Sequence, residues 1–408
     1  MLDLDEAEAS LAPRWSRFAA IARANTAKVL DAFREARIGD HHFAGTTGYG
    51  HDDLGREALE TVFARVFKAE AALVRAQFAS GTHAIATALF GALAPGDELL
   101  YVTGHPYDTL EEVIGLRGEG QGSLLDWGVS YREVPQGADG RVDLPAIKAS
   151  VTAKTRVVAI QRSRGYDWRS SVAIADIARI AKVVREVSPT VTIFVDNCYG
   201  EFTETLEPLE AGCDLIAGSL IKNPGGGIVP SGGYVAGRAD LVHRAACRLT
   251  APGIGRAGGA TESHRLLFQG LFLAPSVVES ALRGASLAAW AFERMGYAVS
   301  PGAFDERTDI IQAIRFGDAE ALIAFCRAIQ AASPVNAYVS PIPDVVPGYE
   351  DNVVMAGGTF IEGSTIELSA DGPLREPYVA YWQGGLSYSH CRIALERAVA
   401  AIAAKCPA

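Results

Sequence analysis

The residues of this chain best suited to covalent chemistry lie just past short apolar runs. Lys222 follows Leu215-Ile216-Ala217-Gly218, with Ser219 three residues before it and Gly225-Gly226-Gly227 soon after. A lysine held among apolar groups and an anion can act as the neutral amine that Schiff-base chemistry requires. The three glycines imply close approach by a ligand or another chain, which a solvated loop lysine would not need. Asp196 ends the run Ile193-Phe194-Val195. A carboxylate there can pair with a ring nitrogen and keep it protonated, or merely cap the next helix. Ser80-Gly81-Thr82 is a small-residue turn entering a helix. Its amides and the helix dipole attract a phosphate dianion, although the same triplet is an ordinary helix cap. His105-Pro106-Tyr107 follows a further apolar run. Either His105 or Tyr107 can stack on a flat ring, and physics alone leaves that choice open.

Phosphate turn, aromatic, strand-end acid and lysine, in that order, are the parts needed to hold pyridoxal 5′-phosphate (PLP). The order of all four is more specific than any one of them. In parallel α/β sheets ligands gather beyond the carboxyl ends of the strands, where each of these clusters falls.

The elements that position them follow from the apolar pattern. The first 35 or so residues read as helix, and a polar, glycine-rich loop then spans 45–53. Strands are expected at 98–103, 157–161, 191–195, 214–218 and 232–236, with helices at 54–67, 81–93, 170–187 and 240–247. The strands are apolar without alternation, as when helices cover both sheet faces. This is an α/β fold with a mostly parallel sheet. After Pro275 a long helix to about residue 295 leads to a smaller α+β region. That region has strands near 310–316, 353–356 and 365–368 and helices at 319–332 and 386–404. The expected division is an N-terminal helix and intersubunit loop (1–53), a large PLP-binding domain (54–275) and a small C-terminal domain (276–408).

The 408 residues carry a formal charge of −11, which argues against a nucleic-acid partner. The acidic start Met1-Leu2-Asp3-Leu4-Asp5-Glu6 is unlike a secretory signal, and no apolar stretch approaches a membrane span. The six cysteines (Cys198, Cys213, Cys247, Cys326, Cys391, Cys406) form no CxxC pair, so no metal site is expected and the protein reads as cytoplasmic.

These residues resemble the aspartate-aminotransferase-like (fold type I) PLP enzymes, and within them the cystathionine and methionine γ-lyases. The resemblance is most specific to the bacterial branch known as methionine γ-lyase family or aluminium-resistance proteins. It rests on Gly48-Tyr49-Gly50-His51-Asp52-Asp53, Ala79 to Ala84, Gln161 to Tyr166, Val195 to Phe202, Ser219 to Gly227, and Glu367 to Tyr378. It implies that Lys222 carries the cofactor and shuttles protons, and that Asp196 pairs with the pyridine nitrogen. It further implies that Ser80, Gly81, Thr82 and Ser219 hold the phosphate while Tyr107 stacks on the ring. Tyr49 would reach the phosphate of a neighbouring subunit, making a homodimer or homotetramer with shared active sites. The chain departs from the γ-lyases in having His51 two residues after that tyrosine, where they have arginine, and Ile221 before the lysine, where threonine is common. No clean match marks the arginine that grips the substrate carboxylate; Arg375 is the candidate, with Arg162 and Arg164 as rivals.

The implied reaction is γ-elimination, or γ-replacement, on an L-amino acid with a sulfur or oxygen leaving group: methionine, cystathionine, an O-acylhomoserine or canavanine. Lys222 would move the α-proton, and Tyr107 would protonate the leaving group. Asp52 and Asp53 would suit a cationic tail, though such pairs more often cap helices. An aminotransferase or aldolase-type lyase would use the same lysine and aspartate. A non-catalytic PLP-binding or metal-tolerance protein is the alternative from a different class.

Overall fold

In the computed structural model, residues 2–118, 120–137 and 140–405 are described; Cys406 lies outside them. Helix α1 (Leu4–Glu35) starts at Asp3, whose carboxylate accepts from the amides of Asp5 and Glu6. It is followed by α2 (Leu54–Val66), β1 (Ala71–Arg75), α3 (Gly81–Ala92), β2 (Glu98–Tyr101), α4 (Asp108–Ile114), β3 (Ser130–Glu133) and α5 (Leu144–Ser150). Next come β4 (Thr155–Gln161), α6 (Ile174–Val187), β5 (Thr192–Asp196), β6 (Leu215–Ser219), β7 (Gly233–Gly237), α7 (Ala239–Leu249) and α8 (Arg265–Arg294). The chain ends with β8 (Ala298–Ser300), β9 (Gln312–Arg315), α9 (Ala319–Ala332), β10 (Val353–Ala356), β11 (Ser369–Pro373), β12 (Val379–Gln383) and α10 (Tyr388–Lys405).

The large sheet has the order β1-β7-β6-β5-β4-β2-β3. It is parallel except for β7, which runs antiparallel to both β1 and β6. Its central strands β5 and β6 are buried at every position, as the unbroken apolar runs require. The smaller sheet, β10-β11-β12-β9-β8, is antiparallel. Helices α8 and α1 pack along each other, and Trp15 Nε1 donates to Ser286 Oγ at 2.9 Å.

Two expectations need correction. The long helix does not begin after Pro275: it begins at Arg265 and contains Pro275, which removes one internal hydrogen bond without ending it. The strand expected at 365–368 lies later, at β11. The Glu367 carboxylate instead accepts from the amides of Phe360 and Ile361, both at 2.8 Å, and holds that segment as a loop. Strands β1, β3, β8 and β12 lie outside the expected set: β1 and β12 are short runs buried throughout, and the other two are short and part-exposed. β3, for instance, is a polar edge of four residues.

Candidate active site

Strand ends β4, β5 and β6 and the first turn of α3 open onto a cavity of about 270 Å³, closed on its far side by β11 and β12. Ser80, Gly81, Thr82, Tyr107, Asp196, Ser219 and Lys222 all line it. Seven positions read from separate stretches of sequence thus meet in one place.

The end of the cavity expected to take a phosphate is built by α3. Ser80 caps the helix by accepting from the His83 amide at 3.1 Å, which leaves the amides of Gly81 and Thr82 facing outward from the first turn. Gly81 is required by space: a Cβ on it would sit 2.9 Å from Ser219 Cβ. Thr82 Oγ1 lies 3.2 Å from Tyr107 Oη and 3.1 Å from Thr109 Oγ1, so the hydroxyls cluster beside those amides. Tyr107 is itself fixed by Gln161, whose Oε1 accepts from the Tyr107 amide at 3.2 Å. Burial, followed by the Asp196 charge, pushes its phenol upward, so it stays protonated. His105 points away and is exposed, held between Glu111 (2.7 Å) and Glu133 (3.0 Å). Of the two aromatic candidates, Tyr107 therefore lines the cavity and His105 does not.

Lys222 is half-buried and lines this cavity, its Nζ 4.0 Å from the ring centre of Tyr199. Burial disfavours its charge, while the acidic groups around it, Asp196 among them, favour the ammonium and shift Lys222 above the usual lysine range. Apolar burial alone therefore does not make this amine neutral. The glycines after it also serve a different purpose from the one expected. A Cβ on Gly225 would collide with the Leu220 carbonyl, on Gly226 with the Gly270 carbonyl of α8, and on Gly227 with Leu386. They seat the lysine loop against its own chain rather than against a ligand. Asn223 Nδ2 ties this loop to the Glu201 carbonyl at 2.9 Å. Tyr199 reaches the cavity from a backbone at φ 69°, a conformation rare outside glycine. Burial raises Asp196, opposed by Lys222 and by the Cys198 amide, which donates to it at 3.1 Å.

None of the three arginines lines the cavity. Arg162 is fully buried behind Asp196, bound to Asn197 (2.8 Å) and Glu204 (2.9 Å). Arg164 is buried in the wall near Asp309, with Nε and Nη1 unpartnered among the described residues. Arg375 stands at the rim, 2.9 Å from Asp351 and 4.0 Å from Asp108, which does line the cavity. Tyr49 is 83% exposed, stacked on His51, and outside this cavity within a single chain. Asp53 is a helix cap: it accepts from the Arg56 amide (2.9 Å), Thr46 (2.6 Å) and His264 (3.0 Å). Sequence reasoning missed Tyr166, Tyr199, Asp371 and Gln383, although the first three fall inside the motif stretches. Among the described residues no group of three or more His, Cys, Asp or Glu side chains could hold a metal.

The donor set fits PLP part by part: amides and hydroxyls for the phosphate, a tyrosine face for the ring, a buried carboxylate for the pyridine nitrogen and an amine for the aldehyde. Fold and site together define a PLP-dependent enzyme. The chain belongs to the methionine γ-lyase family, whose model matches residues 2–403. It is 52% identical over 396 residues to the uncharacterized protein YnbB of Bacillus subtilis, covering 97% of this chain and 94% of that one. A structure from Listeria monocytogenes, described as a candidate cystathionine β-lyase involved in aluminium resistance, superposes with a TM-score of 0.96 at 53% identity, covering 98% and 99% of the two chains. The L-methionine γ-lyase of Pseudomonas putida is 31% identical over 217 residues, 52% of this chain and 49% of that enzyme. The PLP-dependent protein YhfS of Escherichia coli shares the fold alone, with 20% identity and a TM-score of 0.62 over 94% and 96% of the chains.

Proposed function

We propose that the protein is a lyase that expels a sulfur or oxygen leaving group from the γ carbon of an L-amino acid, with methionine, cystathionine, O-acylhomoserines and canavanine as candidate substrates. The observation that carries this reading is the convergence of Lys222 and Asp196 beside the Ser80-Gly81-Thr82 turn, in a chain of the methionine γ-lyase family. PLP, when bound, supplies an electron sink for the carbon bearing the substrate amine. The protein's own groups do the rest. Gly81, Thr82 and Ser219 anchor the phosphate, and Asp196 holds the proton on the ring nitrogen. Lys222 would move the α-proton to the cofactor's aldehyde carbon and, neutral again, would take a proton from Cβ. Arg375, at the rim, is the arginine best placed to receive the substrate carboxylate.

The exposed Tyr49 supports a site completed by a second copy, and hence a homodimer or homotetramer. The segment 1–53 would then serve as an intersubunit arm, with 54–275 and 276–408 as large and small domains. A cytoplasmic setting belongs to the same reading.

The test is a screen of γ-substituted L-amino acids with the holoenzyme, following 2-oxo acid and ammonia together. Equal release of 2-oxobutanoate and ammonia is the expected result. Amino-group transfer to a 2-oxo acid acceptor without ammonia would replace this reading with an aminotransferase.

A further inference from the structure

The cavity has three carboxyl groups, Asp108, Asp196 and Asp371, and their partners differ. Asp108 has Arg375 at 4.0 Å. Asp196 stands at the end of β5 opposite Lys222. Asp371, on β11, is 4% exposed, and among the described residues no lysine or arginine pairs with it. It accepts from Gln383 Nε2 at 3.0 and 3.1 Å, and from the Tyr166 hydroxyl. Around it the ring of Tyr166 packs 5.5 Å from Tyr349 and 5.1 Å from Tyr381. Asp371 is therefore a carboxyl group fixed at both sides, set in an aromatic box, and presented to the cavity from the opposite sheet to Lys222.

Elimination from the γ carbon needs an acid at that end of the substrate, because an alkoxide is a poor leaving group. Tyr107 lies at the α3 end of the cavity, its hydroxyl 3.2 Å from Thr82 Oγ1.

We propose that Asp371 is the acid that protonates the departing heteroatom, an inference that rests on the γ-elimination reading above. Lys222 accepts the proton from Cβ, and the electrons of that C–H bond form the Cβ–Cγ double bond. The Cγ–heteroatom bond breaks with its electron pair on the heteroatom, which takes the proton from Asp371. Water returns a proton to the carboxylate before the next turnover. Burial raises Asp371 to about 7, while the Tyr166 and Gln383 hydrogen bonds and the Lys222 charge oppose the rise. The titrating groups facing it are Lys222, Tyr166, Tyr199, Tyr349, Tyr381 and Cys326.

The experiment compares Asp371→Asn with wild-type holoenzyme on two L-homoserine derivatives: an O-alkyl ether, which leaves as an alkoxide, and an O-acetyl ester, which leaves as a stable carboxylate. The variant is expected to lose about a hundredfold or more in kcat on the ether and less than about threefold on the ester. Exchange of the α-proton in deuterated water, read by NMR, is expected to stay within about twofold of wild type. On the ether, wild-type kcat is expected to fall as pH rises past about 7, the acid being active while protonated, and the variant is expected to lack that limb. Equal losses on ether and ester, or loss of cofactor absorbance in the variant, would overturn the role of Asp371 and leave γ-elimination standing. If the wild-type enzyme exchanges the α-proton but releases no 2-oxo acid from either compound, the elimination reading itself falls, and Asp371 with it.

Discussion

Asp196 and Lys222 line the same cavity, and each affects the charge of the other. Burial alone would neutralise both, yet the lysine is held charged by its acidic neighbours, and the aspartate is drawn back toward ionisation by the lysine. A cationic ring nitrogen beside Asp196 would take over that role. Replacing Asp196 with asparagine removes the charge at nearly constant shape. The variant is expected to bind PLP covalently but to exchange the substrate α-proton more slowly by about a hundredfold or more. Unchanged exchange, followed by NMR in deuterated water, would remove Asp196 from the electron-sink role. At this scale much of the site was legible, because lysine, aspartate and phosphate turn each follow an apolar strand or open a helix. The choice between His105 and Tyr107 was not, since it depends on Glu111 and Glu133 pulling the histidine outward. Asp371 carries a fainter signal, as an acid inside the motif stretch Glu367 to Tyr378.

At the scale of elements, the site depends on the turn after β5 and the loop after β6 being locked together. Asn223 clasps the Glu201 carbonyl, and Tyr234 on β7 donates to Glu201 Oε1 at 2.8 Å while Oε2 finds no partner among the described residues. Burial pushes the Glu201 carboxyl up to about 8. Between its ordinary value near 4.5 and about 8, the folded protein keeps a proton that the unfolded chain has lost. Stability from this group is therefore full below that window and falls as pH rises through it, by roughly 1.4 kcal/mol per pKa unit before any relaxation. Glu201→Gln cannot ionise. Its melting temperature is expected to match wild type most closely at or below about pH 4.5 and to exceed it near pH 9; parallel pH profiles would show that Glu201 is not buried as a neutral acid. Element boundaries were harder to read than element types. Pro275 suggested a break because proline usually ends helices, but α8 is long enough and packed well enough to absorb one missing hydrogen bond. β11 was displaced from its expected place because Glu367 spends its carboxylate on two loop amides.

For the molecule as a whole, one cavity is enclosed by two sheets far apart in sequence: the phosphate turn, Asp196 and Lys222 come from the first, Asp371 and Gln383 from the second. Apolar runs revealed the parallel architecture because a sheet covered on both faces must be apolar along its length. They could not reveal which residues of the second sheet would face Lys222, since that pairing is made by tertiary packing alone. The central proposal is that Lys222 is the covalent anchor of PLP. The most direct measurement is borohydride reduction of the holoenzyme, proteolysis and mass spectrometry of the peptides, alongside the visible spectrum of Lys222→Ala. The expected result is the phosphopyridoxyl mass on the peptide containing Lys222 and no cofactor absorbance of the attached type in the variant. Phosphopyridoxyl on another lysine, or an unchanged spectrum in Lys222→Ala, would contradict it.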